Sequence, residues 1–135
     1  MTTLLDTGPL VAYLYREDEY HAWAKQQTGH LTPPFFCCEA VISEAWFLLS
    51  GVRSGPRRLL DLLDRGVIDT SFSYADHAER VHALMRDYGD LPMSFADACL
   101  VRMAELHDDG RVFTTDGDFR VYRKHGDEAL PVLIP

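Results

Sequence analysis

The sequence predicts a single-domain α/β/α sandwich built on a short parallel sheet, and three observations point there. Short apolar segments ("TTLLD", "PPFFCC", "VIDTSFS", "RVFTTD", "LPVLIP") recur between longer stretches with helical periodicity. Those segments are apolar throughout rather than alternating, the pattern of parallel strands covered on both faces. The chain has 135 residues, 47% hydrophobic and 25% charged. That is the size and composition of one ordinary domain, residues 1–135, with no linker, repeat or low-complexity tract.

In order, "TTLLD" is a strand ending at Asp6. "TGPLVAYL" follows as a helix, with Gly8 in the turn and Pro9 at a favoured first helical position. "EDEYHAWAKQQTG" is predicted as a second helix, capped by Asp18 and stopped by Gly29. Phe35 to Cys38 form a buried strand that runs into the helix "EAVISEAWFLLSG", stopped at Gly51. "SGPRRLLDLLDRG" has apolar residues at 59, 60, 62 and 63 before its terminating glycine, an amphipathic helix. "VIDTSFS" is a strand, "YADHAERVHALMRDYG" a helix ending at Gly89, and "SFADACLVRMAELHDDG" a more apolar helix. "RVFTTDGDF" is a strand ending at Asp116, and "LPVLIP" is a last short strand.

Composition narrows the function. Thirteen basic and 21 acidic residues leave a net charge of −8, against non-specific adhesion to nucleic acid. An enzyme acting on nucleic acid is still compatible, because a metal-binding carboxylate cluster concentrates negative charge. The basic residues are themselves grouped, Arg53, Arg57, Arg58 and Arg65 in one set and Arg120, Arg123 and Lys124 in another. Cys37, Cys38 and Cys99 follow apolar patterning and read as small buried hydrophobes; without CxxC or His/Cys spacing they do not suggest zinc. No apolar run approaches the roughly 20 residues that span a bilayer. "MTTLLDTG" lacks the features of a signal peptide, so a cytoplasmic protein is expected.

In open α/β sheets ligands bind at the carboxyl ends of the strands, and this sorts the acids. Asp6 ends the first strand, and Asp116, with Asp118 beside it, ends the strand that contains "VFTT". Glu44 lies on the helix after "FFCC", and Asp97 in the first turn of its own helix. Each also has a structural explanation. Asp6 can cap a helix, Asp97 can complete a capping box with Ser94, and Asp116 and Asp118 can close an Asx turn. Glu44 is hardest to explain so, being flanked by apolar residues on most helical faces, which predicts burial. The chain also holds its own control: Ser73-Tyr-Ala-Asp76 repeats the pattern of Ser94-Phe-Ala-Asp97. Crowded carboxylates with no nearby lysine fit a hard divalent cation, Mg²⁺ or Mn²⁺.

The ordered set "LLDTGPLVAYL", "SEAWFLL", "FADACLVRMAE" and "FTTDGDF" resembles the PIN domain, specifically the compact VapC-like toxins of bacterial toxin–antitoxin pairs. The resemblance spans essentially the whole chain. It implies that Asp6, Glu44, Asp97 and Asp116 bind metal and carry catalysis. Asp118 is implied as an auxiliary acid, with Thr7 and Thr114 as accompanying hydroxyls. It further implies an Mg²⁺- or Mn²⁺-dependent endoribonuclease that cuts RNA with a metal-activated water. A homodimer and a small antitoxin whose tail covers the acidic groove complete the expectation. A haloacid-dehalogenase-type phosphatase needs a second Asp where Gly8 stands, and a receiver domain needs a lysine at a late strand end. The alternative left standing is a stand-alone or catalytically silent PIN-like module that binds RNA or protein.

Overall fold

Five strands run in one direction and bring their carboxyl ends to a common edge. In a computed structural model, which describes residues 1–135, they are β1 (Thr2–Leu5), β2 (Phe35–Phe36), β3 (Ile68–Asp69), β4 (Gly110–Phe113) and β7 (Val132–Leu133). Their order in the sheet is β3-β2-β1-β4-β7, all parallel. Six helices connect and cover them: α1 (Thr7–Leu14), α2 (His21–Thr28), α3 (Glu39–Leu48), α4 (Gly55–Asp64), α5 (Tyr74–Asp87) and α6 (Phe95–Leu106). The predicted α/β/α sandwich is present, with every strand and helix in the expected order.

The apolar strands are buried because helices pack against both faces of the sheet. Leu4 of β1, Val112 of β4, Val41 of α3 and Leu100 of α6 have no exposed surface. α1 packs on α2, α3 and α4, while α6 packs on α5 and on the central strands β1 and β4. α3 touches both α1 and α6, and so stands where the two helical groups meet. Cys37, Cys38 and Cys99 are buried and unpaired, as their apolar patterning predicted. No helix is long and apolar enough to cross a membrane.

Register fixes the edge. Leu5 of β1 pairs with Phe113 of β4, and Phe113 with Leu133 of β7. The ladder continues one residue further, with Asp6 N–H donating to the Phe113 carbonyl (3.0 Å) and Thr114 N–H to that of Leu133 (3.1 Å). Asp6 and Thr114 are therefore side by side where the strands end.

Several boundaries differ from expectation. α2 begins at His21, and Asp18 does not cap it; its carboxylate accepts the Tyr20 N–H (2.9 Å) in a turn outside the helix. β2 is only Phe35–Phe36, since Cys38 is already the N-cap of α3. Between the 3₁₀ turn Gly117–Arg120 and β7, the chain forms an antiparallel hairpin of β5 (Arg123–Lys124) and β6 (Glu128–Ala129). The short polar sequence of that hairpin carries no strand pattern.

Candidate active site

Asp6, Thr7, Glu44, Asp97 and Asp116 line one open groove at the carboxyl edge of the sheet. Asp6 is the N-cap of α1. Its Oδ1 accepts the Thr7 N–H (2.8 Å) and its Oδ2 accepts the Thr114 hydroxyl (2.7 Å). The Thr114 hydroxyl in turn accepts the Asp116 N–H (2.9 Å). Asp116 Oδ1 accepts the Asp118 N–H (2.9 Å) and opens the 3₁₀ turn. Fully buried Thr114 thus ties the ends of β1 and β4 together beneath the groove. Asp118 lies beside Asp116 in the following turn and is not part of the groove wall.

Asp97 is held from the other side. Ser94 and Asp97 form the full capping box of α6, Ser94 Oγ accepting the Asp97 N–H (3.0 Å) and Asp97 Oδ2 accepting the Ser94 N–H (3.2 Å). The same Oδ2 accepts the hydroxyl of Tyr122 (3.0 Å), a wholly buried ring packed edge-on against Tyr88 and Phe119. Asp76, the local double of Asp97, has its N–H capped by Ser73 (3.3 Å) but lies exposed and away from the groove.

Glu44 corrects the reading of its helix. It is exposed, not buried, because it shares the solvent-facing side of α3 with Trp46 (46% exposed) and Phe47 (75%), while Val41 and Ala45 face the core. Its tie to the groove is a hydrogen bond from the Thr7 hydroxyl to Oε2 (3.2 Å).

Burial dominates the electrostatics. It lifts the Asp6 carboxyl to about 6; the Thr114 hydroxyl and Thr7 N–H oppose the rise, and the charges of Asp97 and Asp116 add to it. Burial raises Asp97 as well, against the pull of the Ser94 and Tyr122 hydrogen bonds. It also raises the Tyr122 phenol, with the Asp97 charge as the next cause, so this hydroxyl stays a donor. Asp118 is raised by desolvation and then by the Asp116 charge.

Asp18 and Glu19 also line the groove, which makes six acids and no lysine or arginine among the lining residues. Sequence reasoning misses both, because they fall in the turn before α2 that the sequence assigns to the helix. Tyr122 is missed too, and nothing in "RVYRK" announces it. As the side chains stand, no three His, Cys, Asp or Glu residues are gathered closely enough to hold an ion between them. The donor chemistry nevertheless fits a hard cation. Glu44, Asp97 and Asp116 each commit one carboxylate oxygen to the chain and leave the other without a hydrogen bond from it.

A sequence profile described as the PIN domain matches residues 3–125. The chain belongs to the PIN domain family. Its fold is that of VapC proteins: the crystal structure of Mycobacterium tuberculosis VapC20, described as a sarcin-ricin-loop-cleaving toxin, superposes with a TM-score of 0.76. The match covers 96% of this chain and 100% of that one at 22% identity. Among curated proteins no match is found.

Proposed function

We propose that this PIN domain is an Mg²⁺- or Mn²⁺-dependent endoribonuclease, the toxin of a toxin–antitoxin pair acting in the cytoplasm. The observation that carries the proposal is the groove itself, where Asp6, Glu44, Asp97 and Asp116 converge from four parts of the chain without a basic side chain beside them. The likeness to VapC20, a toxin that cleaves the sarcin-ricin loop, supports the choice of RNA as substrate. A divalent cation, when bound, would neutralise charge developing on the phosphodiester and lower the pKa of a water.

The remaining roles belong to the chain. Asp6, Glu44, Asp97 and Asp116 would hold the cation. Thr114 and the Thr7 amide orient Asp6, the Thr7 hydroxyl orients Glu44, and Tyr122 fixes the rotamer of Asp97. Asp118 is an auxiliary acid next to Asp116.

The antitoxin and the homodimer are part of the same proposal. Trp46, Phe47 and Leu48 of α3 and Leu60 of α4 are large apolar residues left open to solvent, the mark of a surface that meets another chain. Leu48 belongs to the groove as well, so a partner on α3 would reach its rim.

A second reading, a catalytically silent PIN-like binding module, is favoured by the absence of a gathered trio of ligands. One experiment separates the two. Purified protein is incubated with a mixed RNA pool, with EDTA, Mg²⁺ or Mn²⁺, beside Asp6→Asn. Cleavage by the parent that needs the metal and is lost in the variant is expected. Equal cleavage by both would sink the site assignment, and no cleavage with any metal would favour the silent module.

A further inference from the structure

We propose that Arg53, Arg57 and Arg58, at the start of α4, form the surface that binds the phosphate backbone of single-stranded RNA leading into the acidic groove. This rests on the ribonuclease reading above. The groove walls carry six acids and no basic residue, so they repel a polyanion everywhere except where a metal ion sits. RNA affinity therefore has to come from the rim.

These three arginines are exposed and unpaired, whereas in the other basic group, Arg120, Arg123 and Lys124, Lys124 is buried and Arg123 Nη1 donates to the Arg120 and Tyr122 carbonyls (2.8 and 3.1 Å). None of Arg53, Arg57 and Arg58 makes a salt bridge, whereas Arg65 just beyond the same helix pairs with Asp61 (3.3 Å), and Arg80 and Arg102 both pair with Glu105 (2.8 and 3.2 Å). Arg57 and Arg58 occupy the first turn of α4, which contains no acid, although cations are disfavoured at that end of a helix. Three like charges within six residues, without a salt bridge and two of them in the first turn of a helix, cost stability that a bound anion would return.

Their position fits the task. The turn that carries Arg53 follows directly on α3, whose Leu48 lies in the groove wall. It is compact, with Val52 N–H on the Leu49 carbonyl (2.9 Å) and Gly55 N–H on that of Val52 (2.9 Å). Arg58 Nη1 reaches the Leu14 carbonyl (3.4 Å) at the end of α1, the helix that starts at Asp6 and leads into Asp18 and Glu19. The cluster is thereby joined to α3 through its turn and to the carboxyl end of α1 through Arg58, outside the groove lining itself.

The test compares the parent, Arg53→Gln/Arg57→Gln, Arg65→Gln and Asp97→Asn on one single-stranded oligoribonucleotide. Cleavage kinetics are combined with the salt dependence of binding. The double variant is expected to raise KM about 10-fold at unchanged kcat. Its plot of log affinity against log salt should flatten by about 0.7 per lost phosphate contact. Arg65→Gln should match the parent, and Asp97→Asn should bind with the parental slope without cleaving. A parent that cleaves, with the same KM and slope in the double variant, overturns the arginine surface alone. Unchanged RNA kinetics together with loss of a co-purifying protein would overturn it in favour of a protein contact. A parent that neither cleaves nor binds RNA overturns the ribonuclease reading and this surface with it.

Discussion

The Thr114 hydroxyl donates to Asp6 Oδ2 at 2.7 Å across 108 residues of sequence, and the same hydroxyl accepts the Asp116 N–H at 2.9 Å. One buried oxygen thus sets the relative position of two groove acids. It acts together with the Thr7 N–H on Asp6 Oδ1 and the Asp118 N–H on Asp116 Oδ1, and both acids stand one step or more beyond the end of their strands.

Asp6 carries the clearest pH signature. Its folded carboxyl titrates at about 6, against about 3.9 in an unfolded chain. Between those values the native state binds more protons than the unfolded state, so metal-free stability falls as pH rises from about 4 to 6 and stays lower above. Asp6→Asn removes the burial of that charge. We expect the variant in EDTA to be about 1–2 kcal/mol more stable than the parent at pH 8, with the gain gone at pH 4.5. Urea unfolding at the two pH values checks this. The same variant should lose the stabilisation that Mn²⁺ gives the parent.

Tyr122 positions a carboxylate without touching the groove. Tyr122→Phe keeps the buried ring and removes only the hydroxyl bonded to Asp97. A stability loss of about 1 kcal/mol and a roughly 10-fold weaker Mn²⁺ affinity are expected, from denaturation and titration calorimetry. An unaltered affinity would deny Tyr122 its positioning role.

The groove is partly legible in the sequence, for a physical reason. Asp6 and Asp116 follow apolar strands, and in a parallel sheet the strand ends share one edge. The Ser94–Asp97 capping box is legible too, because it is local. Glu44 lies on the helix after β2, as expected, but it is not buried as its apolar neighbours suggest. Apolar residues on most helical faces imply burial, but Trp46, Phe47 and Leu48 turn out to face solvent while only Val41, Ala45 and Leu49 are buried. Asp18, Glu19 and Tyr122 are out of reach because their places depend on turns and on a hairpin that no periodicity marks.

Gly8 shows why the groove needs a residue without a side chain. A Cβ there would collide with the Thr115 side chain, which directly precedes Asp116. Gly8→Ala should push that segment outward and lower RNA cleavage by about 10-fold or more. Adding Thr115→Ala should recover most of the loss. Equal activity of Gly8→Ala and parent would show that the contact is relaxed at no cost.

Glu105 tests the scaffold away from the groove. Burial works against its ionisation, yet Arg80, the His125 N–H and Arg102 outweigh it and hold its pKa at about 2. A depressed folded pKa stabilises the protein above the unfolded value of about 4.3, and that contribution disappears as pH falls from there towards 2. Glu105→Gln should cost about 3 kcal/mol at pH 7 and far less at pH 2.5, measured by urea unfolding.

The most direct measurement compares Asp97→Asn with Asp76→Asn for metal-dependent cleavage of single-stranded RNA. Both residues stand third in a helix after a capping serine, and only Asp97 lines the groove. Full activity in Asp76→Asn, with at most a small loss of stability, and no cleavage by a folded Asp97→Asn are the predicted results. Cleavage at parental rate by Asp97→Asn, or equal loss in both variants, would contradict the assignment of these carboxylates as the catalytic centre.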